Sequence, residues 1–281
     1  MAHDELNQAI SSHYGWSGLM ESIEAEIRQH GIDPQQVTVG QLAPVDNYHW
    51  YRLAGTLTLA QLAAINSAER VLDVGGGIGG PARQLAHRVG CHVTVLDLTP
   101  EYCAVGEILT RWTQLTDKVS FVCGNALAMP FPDGSFDVVW TQHAAMNIPD
   151  KAGLYREVAR VLHPGGRFAL FDVLAGINQP IHFPVPWASN QSFSFLLTPE
   201  ETRACITQAG FREVSWMMGQ DLEAQLERQE ASEASGEDVS ADGGLNPGLL
   251  NGHDGPRMGA NVQRNMKEGR IIWAMGLFER N

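Results

Sequence analysis

The apolar positions of this chain change period near residue 66. Before that point they recur at helical spacing. Leu19, Ile23 and Ile27 fall on one stripe, which Gly31 and Pro34 close, and Trp50, Leu53, Leu57 and Leu59 to Leu62 predict a second helix leading into a core. Beyond it, short apolar runs alternate with amphipathic stretches. Strands are predicted over 70–74, 92–97, 119–123, 136–141, 167–173, 211–217 and 271–278, with helices over 81–89, 100–114, 151–162 and 198–209 between them. Thr198, Pro199 and Glu201 open the last helix as a capping box with Pro at its first position. His163-Pro164-Gly165-Gly166 reads as the turn that closes the helix before it. This succession predicts an α/β fold: a doubly wound, seven-stranded parallel sheet over 67–281, with residues 1–66 as a helical cap. Residues 229–256, rich in Glu, Ser, Asp, Gly and Asn, are predicted to form a mobile acidic loop before the last strand.

Composition narrows the class. With 281 residues, 44% of them hydrophobic, the chain can bury a substantial core. Its formal net charge of −13 argues against non-specific binding to nucleic acid or anionic membranes, both of which need a basic surface. No apolar run reaches the length of a membrane span, and the polar start lacks a signal-peptide pattern, so a cytoplasmic protein is expected. Cys91, Cys103, Cys123 and Cys205 show no C-x-x-C spacing and are read as thiols, with Cys91 and Cys123 buried in or beside strands. The ten histidines are not paired at ligand spacing, so no metal is expected.

The chemistry begins where the first predicted strand ends, in Val-Leu-Asp-Val-Gly-Gly-Gly-Ile-Gly-Gly (71–80). Gly75, Gly77 and Gly80 match G-x-G-x-x-G, the strand–turn–helix signature of a nucleoside cofactor site. Asp73 precedes the first glycine by two residues. A carboxylate there repels a pyrophosphate but suits S-adenosylmethionine, which carries a sulfonium and an ammonium and no phosphate. Asp97 ends the second strand, 20 residues after Gly77, where an acid reaches ribose hydroxyls. Asp97 also reads as a helix cap, a task Thr99 shares.

These residues, with VTVLDLTPE (93–101), VSFVCGNALAMPFPDGSFDVVWTQ (119–142), IPDKAGLYREVARVLHPGGRFALFD (148–172) and LTPEETRACITQAGF (197–211), resemble the class I S-adenosylmethionine-dependent methyltransferases. The resemblance is to the small-molecule branch that includes sarcosine/dimethylglycine N-methyltransferases and tocopherol/sterol C-methyltransferases. It implies a Rossmann-like fold with S-adenosyl-L-methionine as cofactor. Asp73 and the glycine turn would hold the methionine end, Asp97 and Leu98 the ribose side, and Asn125 and Ala126 the adenine, with Gln142 closing the site. The family usually has Asp where Asn125 stands. The tocopherol-type enzymes carry acidic and His residues where this chain has Met146 and Asn147, which leaves His143 as the one titratable group in the stretch after the fourth strand.

His143, with an unperturbed pKa of about 6.5, serves equally as a base toward the acceptor or as a hydrogen-bonded structural residue. The clusters His13-Tyr14-Gly15-Trp16 and Tyr48-His49-Trp50, and His182 to Trp187 after the fifth strand, are expected to cover the acceptor. From them Tyr14, Trp50, His182 and Trp187 are the candidate contacts, with Arg52 for an acceptor carboxylate. Each aromatic taken singly fits core packing as well. The expected function is methyl transfer to a small-molecule amine. S-, O- or C-methylation, a nicotinamide-dependent oxidoreductase and a non-catalytic cofactor-binding protein stay open.

Overall fold

The computed structural model describes residues 3–15, 17–47, 49–234, 244–246, 249 and 254–281. Seven strands form one sheet: β1 (Arg70–Val74), β2 (His92–Asp97), β3 (Val119–Cys123), β4 (Phe136–Gln142), β5 (Leu162–Ala175), β6 (Phe211–Met218) and β7 (Ile271–Arg280). Their order is β3-β2-β1-β4-β5-β7-β6. The first five strands in that order run parallel. β7 is antiparallel to both β5 and β6, so the sheet is mixed rather than wholly parallel. The chain order reverses between β1 and β4, and ligands of such sheets bind outside the carboxyl ends of the strands at that point.

Strand periodicity sorts β1 between two cores. Val71 points into one apolar layer with Val93, Val95 and Trp140, and Leu72 and Val74 into the other with Leu96, Leu154 and Phe168. Asp73 alternates with Leu72 and so enters the first layer. The first layer is covered by α4 (Arg52–Leu62), α5 (Gly80–Arg88), α9 (Gly219–Ala234) and α10 (Gly255–Lys267), through Leu59, Leu85, Leu222, Leu226 and Val262. The second is covered by α7 (Lys151–Val161) and α8 (Pro199–Gln208), through Leu154, Val158 and Ile206. The capping box of α8 forms as its sequence predicts. No helix among the described residues is long and apolar enough to cross a membrane.

The N-terminal helices are α1 (His3–Tyr14), α2 (Leu19–Gln29) and α3 (Val39–Asp46). The predicted stripe of Leu19, Ile23 and Ile27 packs on Val105 and Leu109 of α6 (Pro100–Trp112). Ile78 of the glycine turn joins the same cluster, and Asn7, Ile10 and Tyr14 of α1 line one cavity with Gly75 and Gly77.

Three further expectations are corrected. Residues 163–166 belong to β5 and not to a helix-closing turn: Phe136 pairs with Leu162 and Val138 with Arg167, so the excess residues form a bulge, with Gly165 at φ 76°. Residues 229–234 and 255–256, read as loop, are the end of α9 and the start of α10. In α9 only Leu222 and Leu226 are fully buried, and two glycines mask the helical pattern of α10. Residues 235–243, 247, 248 and 250–253 of that stretch lie outside the described residues, as do Trp16 and Tyr48. Cys123 is exposed, because β3 is an edge strand and the residue ends it.

Candidate functional site

The glycine turn closes a cavity of about 180 Å³ at the carboxyl ends of β1, β2 and β4. Gly75 and Gly77 hold φ values of 73° and 57°, which only glycine adopts without strain. Gly76 roofs Asp73: a Cβ there would come within 2.6 Å of Asp73 Oδ2. That oxygen is buried without a hydrogen-bond partner among the described residues, and the Trp140 indole near the carboxyl, likewise buried and unpartnered, holds back part of the rise in its pKa. Burial pushes the Asp73 carboxyl up to about 7.

Asp97 spends both oxygens locally. The Gly77 amide donates to Oδ2 and the Thr99 amide to Oδ1, each at 2.9 Å. The first bond ties β2 to the turn, and the second starts α6. Burial nevertheless raises its pKa against these bonds. Leu98, Asn125 and Ala126 line the same cavity. The Asn125 side-chain carbonyl accepts from the Leu127 amide at 2.8 Å, which fixes the loop after β3. Gln142 lines the cavity too; Thr56 donates to its Oε1 at 3.2 Å, and its Nε2 is buried without a partner.

Gly80 does not line the cavity, contrary to its reading as a cofactor contact. A Cβ on Gly80 would lie 2.0 Å from the Asp46 carbonyl oxygen, so this glycine lets α5 touch the end of α3. The contact is locked by Arg83, which is fully buried. Its Nη2 and Nε donate to Asp46 Oδ2 at 2.8 and 3.3 Å, and its Nη1 donates to Thr110 Oγ1 and to the Gly106 carbonyl.

A second cavity of about 560 Å³ adjoins the first, within the range of small-molecule sites. Trp50, Trp187 and Trp273 wall it, with Trp50 stacked on Trp273 at 5.7 Å between centroids. Arg52 and Glu230 line it as well. Tyr14, His49 and His143 line both cavities and mark their junction. The Trp187 indole donates to Ser194 Oγ, so that ring is held in place.

His143 follows β4 directly and carries φ 51°, a strained value for a non-glycine residue. Tyr51 and Arg52, both in the second cavity, also have positive φ. The His143 ring stacks on His49 at 5.8 Å and meets the edges of Phe171 and Trp273 at 4.6 and 4.8 Å. Among the described residues neither ring nitrogen has a hydrogen-bond partner, which speaks against its reading as a hydrogen-bonded structural residue. Burial, with His49 beside it, holds its pKa well below 6.5. Burial likewise brings His49 down to about 4. Both rings are neutral at pH 7, and the expected ionisation of His143 near neutrality is corrected on this ground. His49 Nε2 lies 3.0 Å from Thr56 Oγ1.

The turn after β4 is clamped from several sides. Tyr14 donates to Asn147 Oδ1 at 2.7 Å, and Asn147 Nδ2 donates to the carbonyls of Trp187 and Phe193. Asp172 accepts from the Ala145 amide, and Lys151 donates to the carbonyls of Ile148 and Phe195. His182, a candidate acceptor contact, lies in neither cavity. Its ring bonds Glu268 at 2.8 Å and its backbone pairs with the Asn265 side chain, so it fastens the loop after β5 to α10.

Sequence reading passed over Thr56, Asp46, Glu230 and Trp273, and noticed Asn147 only as a departure from the tocopherol-type pattern and His49 only as part of an aromatic cluster. Their contacts are long-range, and no local spacing announces them.

Residues 72–170 match the methyltransferase domain family. The chain is 41% identical over 116 residues to the sterol 24-C-methyltransferase ERG6B of Gibberella zeae, covering 41% of this chain and 30% of that protein. It is 37% identical over 172 residues to the methyltransferase GfsG of Streptomyces halstedii, covering 61% of this chain and 60% of that one. The chain thus spans less than two thirds of the length of these relatives. Its fold is similar to that of the geranyl diphosphate C-methyltransferase of Streptomyces coelicolor A3(2), solved with Mg2+, geranyl-S-thiolodiphosphate and S-adenosyl-L-homocysteine. The TM-score is 0.66 at 17% identity, over 98% of each chain.

Proposed function

We propose that this chain, whose residues 72–170 match the methyltransferase domain family, is an S-adenosylmethionine-dependent methyltransferase that methylates an amine nitrogen of a small-molecule acceptor. The observation that carries the reading is the junction of the two cavities at Tyr14, His49 and His143. The first cavity fits the cofactor. Asp46, Asp73 and Asp97 line it, and among the described residues no Lys or Arg does, which disfavours a pyrophosphate and with it a nicotinamide dinucleotide. The orphaned Asp73 oxygen is a partner for an ammonium.

When bound, S-adenosylmethionine supplies a methyl on a sulfonium, ready for in-line displacement. Asp97 retains lone pairs for the ribose hydroxyls beyond its two amide bonds. Asn125 and Ala126 flank the adenine, and Gln142 offers its free amide N–H. Residues 1–66 close over the acceptor. Trp50, Trp187 and Trp273 exclude water and favour a cationic amine, and Glu230 adds negative charge. Arg52, which lines the second cavity and forms no ion pair among the described residues, suits a carboxylate on the acceptor. His143, neutral and unpartnered, accepts the proton that the acceptor nitrogen must shed.

The test is thermal shift with S-adenosylhomocysteine against NAD, followed by mass-spectrometric methyl transfer to a panel of small amines. Stabilisation by S-adenosylhomocysteine alone, with methylated amine formed, is expected. Stabilisation by NAD alone overturns the cofactor, and methyl transfer confined to oxygen or carbon acceptors overturns the amine.

Two variants probe the cofactor side. Gly77→Val is expected to cost about 1–3 kcal/mol in stability, from the left-handed backbone, and to leave the protein folded. Its side chain enters the cavity, so the thermal shift with S-adenosylhomocysteine should vanish; a retained shift removes the glycine turn from the site. Asp73 gives a pH signature. Its folded pKa of about 7 lies above the unfolded value of 3.8. The free protein therefore carries a protonated Asp73 below pH 7, whereas an ammonium ligand needs the carboxylate. Affinity should rise as pH climbs toward about 7 and then level, with proton release at lower pH. Calorimetry in two buffers of different ionisation enthalpy reads the release, and Asp73→Asn should abolish it.

A further inference from the structure

Beneath the floor of the first cavity, two thiols that the proposed reaction does not use come together. α6 lies on β3 with Gly106 against Phe121, so close that a Cβ on Gly106 would sit 2.3 Å from the ring. Cys103 is one helical turn before Gly106 on the same face, and Cys123 is two residues after Phe121 on the same side of the strand. α6 returns against the direction of the strands, so both steps lead to the same end of the sheet. The Cys103 thiol points at the Asp97 carbonyl and the Cys123 thiol at the Leu98 carbonyl, each at 3.9 Å. The Cys123 thiol is also close enough to Cys103 to help raise its pKa. Cys123 is exposed, and Cys103 is 7% exposed. Burial pushes Cys103 up to about 12, so it stays a thiol until a partner sulfur is presented to it.

We propose that Cys103 and Cys123 form a reversible disulfide in response to peroxide, a modification that draws both sulfurs off the Asp97 and Leu98 carbonyls and weakens adenosine binding at this edge. The exposed Cys123 reacts first. Its sulfur attacks one peroxide oxygen; an S–O bond forms, the O–O bond breaks, and the second oxygen leaves as water. Cys103 sulfur then attacks Cys123 sulfur. The S–S bond forms, the S–O bond breaks, and the oxygen departs as water with the Cys103 proton. Two thiols lose two electrons and two protons, and peroxide becomes two waters. A dithiol reverses the step by exchange. Asp97 and Leu98 line the cavity, so the link acts on the segment expected to hold the ribose.

The binding consequence rests on the cofactor reading above; the disulfide does not. The full chain is treated with hydrogen peroxide, alkylated and digested, and its affinity for S-adenosylhomocysteine is measured before and after. A Cys103–Cys123 linked peptide is expected. Affinity should fall about tenfold, the scale of one displaced charge-assisted hydrogen bond, and dithiothreitol should restore it. Cys103→Ser should leave Cys123 as a sulfenic acid that dimedone traps, with affinity held. Cys123→Ser should leave Cys103 reduced. Absence of the linked peptide overturns the proposal, as does a linked protein with unchanged affinity. If the reduced chain fails to bind S-adenosylhomocysteine at all, the cofactor reading falls, and the linked peptide alone decides the disulfide.

Discussion

Arg83→Met is expected to lower unfolding free energy by about 3–5 kcal/mol, the scale for breaking a buried ion pair from one side. The Arg83 guanidinium joins three helices: it sits on α5, pairs with Asp46 at the end of α3, and donates to Thr110 and Gly106 on α6. Without it, Asp46 is a buried carboxylate whose remaining side-chain partner is Asn47. Burial already raises the Asp46 pKa with Arg83 present, so the variant should bind a proton on folding, and its stability should fall as pH rises. Urea unfolding at several pH values measures both effects. Replacing the pair together, Asp46→Leu with Arg83→Met, should recover most of the loss, because two apolar groups leave no charge unpaired. A single variant as stable as the wild type would show that this pair does not anchor α3. Asp46 lines the first cavity, and Asn47 and His49 follow it, so release of α3 should also weaken S-adenosylhomocysteine binding.

His143→Ala is expected to lower kcat about 10²-fold and to leave S-adenosylhomocysteine affinity near the wild-type value. Both ring nitrogens are free of protein partners at the junction of the cavities, so what is lost is a proton acceptor and not a structural bond. The folded pKa of His143 is depressed well below 6.5, which keeps the ring neutral at pH 7 and above, and the wild-type rate should show no His143 limb there. A limb in that range that persists in the variant belongs to the acceptor. A variant with unchanged kcat removes His143 from the chemistry. The same burial has a stability signature. In the unfolded chain His49 and His143 take up protons near pH 6.5, while folded His49 does so only near 4. Between those values the unfolded state binds more protons, so this contribution, full above about 6.5, is lost as pH falls toward 4. Melting curves of His49→Gln and His143→Gln should show a shallower loss on acidification.

How far the site was legible differs residue by residue. Asp73, Gly75, Gly77 and Asp97 stand on one strand–turn–helix unit and the next strand, and their meeting in one cavity follows from spacing that a single chain displays. Asp97 was left open between cap and ribose contact; its two amide bonds do the local work and leave the ribose role to be tested. His182 misled because its position after β5 matches a ligand-binding edge, while its partner Glu268 is 86 residues away. His49 carried no signal beyond its neighbours, since its place depends on α4 bringing Thr56 under Gln142.

By itself, the sequence determined the strands, the glycine turn, the α8 capping box and the helical N-terminal stripe. Each rests on short-range physics: the two-residue alternation of a pleat, the left-handed φ open to glycine, and the side-chain bond that satisfies a helix end. The tertiary structure alone decided that β7 runs antiparallel, that α9 and α10 exist, that Gly80 spaces two helices, and that His143 stays neutral. Those outcomes depend on what residues far apart in the chain bury together. Strand direction follows from which edge is free to pair, and two lightly apolar helices form because the sheet offers a face to cover. A histidine loses its charge when aromatic rings from β5 and β7 displace the water around it.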